Sequence, residues 1–291
     1  MRRIARLICL CLTLCLLLPV HVPSAEAESA APTVRVWLRR LGLTDRADLY
    51  LDGTYTAALP SGVEMSFPKG SHVIAVVRSG EVYLFYQGMS LKAGAGVKLI
   101  RSASESAESE GIRFIEGGNF YPGDLTLTLN ENGAITAVCT LSVEDYLLGV
   151  VAYEMSDSFP LEALKAQAVA ARTYALRRKA ASASRDWDVT DTTSDQVFKG
   201  YNPEYQNVAE AVSATSGVVG AAPSGAYAEC YYTASNGGQI ARPGDIWGGA
   251  DDGCIEMKDD PYDLENPRSM VNSIQFSADL TGAGALKALL T

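Results

Sequence analysis

The sequence predicts an α+β fold: a β-rich N-terminal region followed by a core of mixed helices and strands. Three observations carry this prediction. From Thr33 to Val138 short runs alternate between apolar and polar residues and are broken by turn residues; from Ser142 the apolar spacing lengthens to three and four. The composition, 47% hydrophobic and 20% charged over 291 residues, is that of a globular chain with room for one large domain or two smaller ones. The expected organisation is a leader over residues 1–27, a β-rich domain over 33–138 and a mixed helix/strand core over 139–291.

The leader comes first. Arg2, Arg3 and Arg6 precede an apolar run from Leu7 to Val20, and Ala25-Glu26-Ala27 supplies a small-x-small cleavage site. This is the pattern of a secretory signal peptide, and it is excluded from the fold. If retained, residues 7–20 would instead tether the chain to a membrane, although Pro19 leaves the run short of the ~20 residues a spanning helix needs. Either way the chain is expected outside the cytoplasm, secreted or membrane-anchored.

In the β-rich region "VRVWLRRL", "ADLYLDGTYTAAL", "SHVIAVVRSGEVYLFYQG" and "LTLTLNENGAITAV" read as strands. Asp52-Gly53, Ser79-Gly80 and Asn132-Gly133 are expected to make the hairpin turns between them. The acidic, serine-rich stretch from Ser102 to Gly111 reads as a surface loop. No concentrated chemistry is written in this half.

At Ser142 the character changes. Ser142-Val143-Glu144-Asp145 resembles a capping box, and a helix follows through "VEDYLLGVVAYEM". Residues Ser156 to Ser158 break it, and Pro160 suits the start of the next helix, to about Lys179. Leu161, Leu164, Ala168, Ala171 and Ala175 form its core-facing stripe. A third helix in "PEYQNVAEAVSATSG" ends at Gly217, and strands are expected around Val218 and from Ala226 to Thr233. The glycine loop "ASNGG" comes after them.

Charge and residue usage narrow the function classes. The net charge is −10; loss of residues 1–27 removes three arginines and one glutamate and leaves −12. An acidic chain without a basic stripe is a poor nucleic-acid binder. Only His21 and His72 are present, so Ser-His-Asp, Cys-His and His/Cys zinc chemistry are starved of residues. Cys139, Cys230 and Cys254 remain outside the leader, which allows one disulfide and a free thiol but no disulfide framework. Carboxylates, hydroxyls or backbone groups must carry any chemistry.

Glu154 is the prominent carboxylate. It lies where a helix gives way to a polar turn, ahead of a helix with Lys165 and Arg172 on one face, seven residues apart. A glutamate near a helix start also has a purely structural reading, through the helix dipole. As chemistry, one carboxyl suffices for glycoside cleavage when the sugar supplies its own hydroxyl nucleophile, because that hydroxyl has a very high effective concentration. The two cations would then meet substrate or structural carboxylates. A hydrolase with two catalytic carboxylates needs a partner for Glu154; Asp157 is nearest in sequence but too local. Asp188, Asp191 and Asp195 in "DVTDTTSDQVFKGY" lack the glycine and distal glutamate of a calcium loop and fit an Asx and Ser/Thr turn better. "TASNGG" is either a loop that a polymer can approach or a plain turn.

Together, "SVEDYLLGVVAYEM…SFPLEALKAQAVAARTYAL", "DTTSDQVFKGY", "AVSATSGVV" and "YYTASNGGQ" resemble the stage II sporulation protein D and amidase-enhancer family, most strongly from Ser142 to Gly238. The resemblance implies an exported cell-wall protein and a catalytic core over 139–291. Its sporulation members are lytic transglycosylases that cut the MurNAc–GlcNAc bond of peptidoglycan glycan strands, leave 1,6-anhydro ends, and work beside a cell-wall amidase. It makes Glu154 the catalytic acid and Lys165, Arg172, Ser235, Gly237 and Gly238 candidate substrate contacts. Members without that activity would bind glycan and enhance an amidase. Some members hold zinc through a cysteine and a His-Cys pair; Thr190, Ser194 and Asp195 stand there, so no metal or other cofactor is expected. Ser156 replaces the family's proline, Phe159 its tryptophan and Thr233 its histidine. Family members continue with further strands, so the resemblance implies a core truncated or divergent at its C-terminal end.

Overall fold

The computed structural model describes residues 31–102, 110–115, 118–249 and 251–266. The leader with its tether segment 7–20, residues 103–109 of the serine-rich loop and the tail from 267 lie outside them.

Alternation becomes pairing in two antiparallel sheets. Strands β1 (Thr33–Trp37), β2 (Arg46–Leu51), β3 (Tyr55–Ala58), β4 (Glu64–Phe67), β5 (His72–Arg78), β6 (Glu81–Tyr86), β7 (Met89–Gly94), β8 (Gly96–Arg101), β9 (Ile112–Arg113), β10 (Asp124–Leu129) and β11 (Ile135–Ser142) follow in order. Five form a sheet β7-β6-β5-β2-β9; the others form β1-β11-β10-β8-β3-β4, to which β12 (Val189–Thr190) adds in parallel beside β1. Every second residue points inward: Ala47, Leu49 and Leu51 of β2, Val82, Leu84 and Tyr86 of β6, Val97 and Leu99 of β8 are all buried in one continuous core. Each such aliphatic side chain contributes about 1.5–3 kcal/mol on removal from water. Strand β11 is buried from Ile135 to Cys139, because helices cover the face that would otherwise meet solvent.

Two of the three expected turns close hairpins. Ser79 (φ 51°) and Gly80 (φ 75°) are both left-handed between β5 and β6, as a two-residue turn of the right twist requires. Gly133 (φ 76°) turns β10 into β11, with Asn130 Oδ1 accepting from the backbone N–H groups of Asn132 (2.9 Å) and Ala134 (3.0 Å). Asp52-Gly53 differs. β2 belongs to the five-stranded sheet and β3 to the seven-stranded one, so this turn takes the chain round a corner between sheets. Leu51 N–H bonds to Ser71 O and Asp52 N–H to Gly111 O, so long-range partners claim the groups a hairpin would have used.

The helices follow the expected order. Helix α1 (Val143–Glu154) is capped by Ser142, whose Oγ accepts the Asp145 N–H at 3.0 Å. Helix α2 (Leu161–Ala180) buries Leu164, Ala168, Ala171 and Ala175 completely. Helix α3 (Gln206–Ala214) is followed by Gly217 at φ 72°. The three pack on one another, and α1 and α2 lie against β1. Small side chains on α2 permit that close approach.

The strands expected around Val218 and from Ala226 to Thr233 do not form a ladder. The described chain there makes one isolated bridge, Ala221 to Tyr227. Its backbone groups go to local turn bonds, such as Ala222 N–H to Ala226 O (2.8 Å), and to side chains: Gly220 N–H to Thr173 Oγ1 (2.9 Å) and Glu229 N–H to Asp252 Oδ2 (2.7 Å). Beyond it lie a short pair, β13 (Gln239–Ile240) with β14 (Lys258–Asp259), and two single-turn helices, α4 (Pro243–Trp247) and α5 (Pro261–Glu265).

Candidate active site

Glu154 is the last residue of α1. Met155 after it is extended (φ −132°, ψ 150°), which ends the helix and turns the chain outward. The turn is then fixed from the far side. Asp157 Oδ1 accepts the Val208 N–H (2.8 Å) and Asp157 O accepts Asn207 Nδ2 (2.9 Å), so this carboxylate caps α3. Asp157 is therefore occupied as a helix cap.

The facing wall is the segment 188–198, held at both ends. At one end Asp188 is clamped by Arg35, with Arg35 Nη2 2.6 Å and the Arg35 backbone N–H 2.8 Å from its oxygens, and Ser182 Oγ donates at 2.5 Å. Burial pushes the Asp188 carboxyl up, but these bonds outweigh it and hold it below the ordinary carboxylate value. At the other end the Phe198 ring packs against α1, 5.0 Å from the Tyr146 ring. A Cβ on Gly149 would fall 2.4 Å from the Phe198 ring, so only glycine in this turn of the helix lets the segment dock. Between these anchors Val197 N–H donates to Glu154 Oε1 at 2.8 Å.

Gln196, fully buried, organises the floor. Its Oε1 accepts from Tyr146 Oη (3.2 Å), and its Nε2 donates to Ala171 O (3.3 Å) and Tyr232 Oη (3.1 Å). That chain of bonds ties α1 and α2 to the residue facing Glu154. Burial holds the Tyr232 hydroxyl well above the ordinary tyrosine range; the hydrogen bond from Gln196 opposes this, and the Glu154 carboxylate adds to it. Tyr232 is thus a neutral donor at working pH.

These pieces enclose an open cleft of about 510 Å³, lined by Glu154, Met155, Phe159, Gln167, Thr193, Asp195, Val197, Tyr232, Thr233 and Ala234. Glu154 has no ion pair among the described residues. The second carboxylate in the cleft, Asp195, has both oxygens engaged. Tyr174 Oη (3.0 Å) and Arg178 Nε (3.0 Å) meet Oδ1; Thr190 N–H (2.8 Å) and Oγ1 (2.9 Å) meet Oδ2. Its side chain is only 6% exposed. Gln167, on α2, has a buried Nε2 without a hydrogen-bond partner among the described residues. Such a donor beside a cleft is suited to an acceptor on a ligand.

Of the catalytic and substrate-contact candidates read from the sequence, the structure brings Glu154 to the cleft, and Lys165, Arg172, Ser235, Gly237 and Gly238 are not among its lining residues. Lys165 lies on the surface of α2 and pairs with Glu162 at 2.7 Å, one turn back. Arg172 is 1% exposed and cannot reach a polymer. Its guanidinium meets Glu144 through Nε (2.8 Å) and Nη2 (2.7 Å), and Nη1 donates to Val218 O (3.0 Å). The spacing that puts both cations on one face is right, but α1, the end of α3 and residue 218 cover that face only at Arg172. Ser235 and Gly237 are turned inward to α5: Ser235 Oγ (2.7 Å) and the N–H groups of Asn236 (2.9 Å) and Gly237 (2.8 Å) all donate to Asp263 Oδ2. Gly238, at φ 92°, packs against Leu264. From this loop region Thr233 and Ala234 line the cleft. Asp188, Asp191 and Asp195 each turn to different partners, and Thr190, Thr192 and Ser194 bridge the turn through side-chain and backbone bonds. His72 sits on the five-stranded sheet, 3.1 Å from Asp48 Oδ1 and stacked on Tyr50.

Gln167, Gln196, Val197 and Tyr232 were not legible as site residues. Each lies in a stretch whose composition stands out, but nothing local separates a buried glutamine that orders a cleft from a surface one.

The comparisons with known proteins bear on this same stretch. The family model described as Stage II sporulation protein (SpoIID) matches residues 131–220. An uncharacterized protein of Brachyspira hyodysenteriae is 37% identical over 136 residues, 46% of this chain and 36% of that protein. The Amidase enhancer of Bacillus subtilis is 38% identical over 113 residues, 39% of this chain and 15% of the relative. Stage II sporulation protein D of the same organism is 31% identical over 144 residues, 44% and 40% of the two chains. The matches thus span less than half the length of each of these relatives. Glu154, its backbone clamp and all three long helices lie inside the matched segment, and it is this segment that is similar to the stage II sporulation protein D and amidase-enhancer proteins.

Proposed function

We propose that the protein is a peptidoglycan lytic transglycosylase that cleaves the MurNAc–GlcNAc bond of glycan strands to a 1,6-anhydro end, with Glu154 as its acid and base, in cell-wall remodelling or sporulation outside the cytoplasm. The observation that carries this reading is the pairing of carboxylates in one cleft. Among the described residues Glu154 pairs with no cation, whereas Asp195 has both oxygens bonded. Two-carboxylate hydrolysis needs a second free carboxylate across the bond. A single free one fits a reaction in which the substrate supplies the nucleophile.

The steps balance on one side chain. The Glu154 carboxyl gives its proton to the glycosidic oxygen as the C1–O bond breaks. The C6 hydroxyl of the same MurNAc forms the new bond to C1 and returns its proton to the Glu154 carboxylate. No water is consumed. Val197 N–H holds Oε1 at 2.8 Å and so fixes the plane of the carboxyl through both transfers. Tyr232 and Gln167 supply donors to the sugar, and Phe159, 47% exposed, an apolar wall.

Incubation of the protein with amidase-treated glycan strands, with products read by mass spectrometry, is expected to give anhydro-ended sugars. Glu154→Gln should lower the rate by roughly 10²–10⁴-fold, the range of general acid–base catalysis. Undiminished activity in that variant would reject the mechanism. The similarity to an amidase enhancer favours a second reading, a non-catalytic glycan binder that stimulates a cell-wall amidase. Under it Glu154→Gln changes nothing, and the added protein speeds peptide removal by the amidase.

A further inference from the structure

A second cavity adjoins the cleft that holds Glu154. It has a volume of about 510 Å³ and shares Thr193, Asp195 and Tyr232 with the first, so the two are separated by one wall rather than by the body of the protein. Its distinguishing feature is aromatic. Tyr231 is 45% and Trp247 66% exposed, their ring centroids 4.7 Å apart and their planes tilted by 53°. Tyr174 adds a third ring, 6.4 Å from Tyr231. The two other tryptophans, Trp37 and Trp187, lie against each other at 4.6 Å on the strand β1 side of the molecule. Large neighbouring rings left in water on a cavity wall mark a surface that something covers.

The polar groups of the cavity show what kind of ligand would cover it. Tyr174 Oη donates to Asp195 Oδ1 at 3.0 Å, Arg178 Nε lies 3.0 Å from the same oxygen as an ion pair, and the Arg178 side chain remains 37% exposed. Aromatic faces beside hydroxyl, carboxylate and guanidinium groups match a pyranose ring, which offers a face of C–H groups and a rim of hydroxyls. A cation on the wall also matches the lactyl carboxylate that MurNAc exposes once its peptide is gone.

We propose that Tyr231 and Trp247 form a sugar-binding platform along the strand from the bond that Glu154 addresses, so that the protein binds an extended glycan more tightly than a disaccharide. This rests on the glycan-cleaving reading and adds to it a specificity for chain length. Sugars held at two linked sites gain affinity because the second contact is intramolecular once the first is made.

The test uses the full chain carrying Glu154→Gln, so that ligands persist, titrated with peptide-free GlcNAc–MurNAc oligomers of increasing length. Calorimetry measures affinity, and the part of the tryptophan emission change that is lost with Trp247 reports the platform. Longer oligomers should shift the emission and bind more tightly than the disaccharide. Adding Trp247→Ala should abolish the emission change and weaken long oligomers about tenfold while leaving the disaccharide unaffected. Trp247→Phe should restore most of that affinity, which a merely misfolded loop would not allow. Unaltered affinity for long oligomers in Trp247→Ala overturns the platform and leaves the cleft reading standing. Failure of every oligomer to bind the Glu154→Gln protein overturns both.

Discussion

Arg172 shows how far a residue's chemistry depends on what covers it. From the sequence it is a cation on a helix; in the structure it is the buried joint of three helices, bonded to Glu144 on α1, to Val212 O at 3.3 Å on α3 and to Val218 O. Truncation leaves a carboxylate and two carbonyls without their donor. Glu144 is 31% exposed and can reach water, so the cost of Arg172→Ala belongs at the low end for a broken buried pair, about 3 kcal/mol. Urea denaturation should show that loss. Under conditions where the variant is folded, its affinity for glycan should equal that of the parent, which a substrate-binding arginine would not permit. Glu154 is the opposite case, since its position at a helix end before a polar turn was legible and the structure puts it in a cleft.

At the scale of elements, the site depends on one loop docking against one helix. Gly149 reads in the sequence as an interruption in a good helix, at a cost of ~1 kcal/mol against alanine. Its value is tertiary: the Phe198 ring occupies the space where a Cβ would stand. Gly149→Ala therefore improves intrinsic helix propensity yet should destabilise the fold by about 1–3 kcal/mol through overpacking. Because Phe198 follows Gln196 and Val197, the clamp on Glu154 should shift with it. Glycan cleavage should then fall further than the folded fraction measured by circular dichroism. The capped start of α1, the alanine stripe of α2 and the alternation of the strands were all readable, because each is a local pattern with a fixed period. The corner at Asp52-Gly53 and the unladdered stretch at 218–233 were not, since distant partners decide where their backbone groups bond.

For the molecule as a whole, the segment that carries the cleft wall is tied to the sheet through acidic residues of opposite electrostatic character. Asp191 is fully buried, its carboxylate accepting the Arg40 N–H at 3.0 Å, and burial raises its pKa from 3.8 to about 6. The folded chain thus holds a proton between pH ~4 and ~6 that the unfolded chain has released. That contribution to stability is complete below pH 4 and is lost as pH rises through 6, on the order of 3 kcal/mol. Asp188, held below the ordinary value by Arg35, works in the other sense and loses its contribution on acidification. Asp191→Asn keeps an acceptor for the Arg40 N–H but has no proton to take up. The stability difference between parent and variant should move in the parent's favour as pH falls from 7 to 4 in parallel denaturation series. A difference that stays flat would refute the assignment.

The sequence by itself determined the α+β class, the order and type of the long elements and the placing of one glutamate at a helix end, because these follow from periodicity, capping and composition within a few neighbouring residues. Only the tertiary structure decided which carboxylate stays free and which is consumed, that Arg172 is a joint while Tyr232 and Gln196 frame the cleft, and that aromatic rings from separate segments meet beside it. Those outcomes depend on which distant groups come within bonding distance, and no local pattern encodes that.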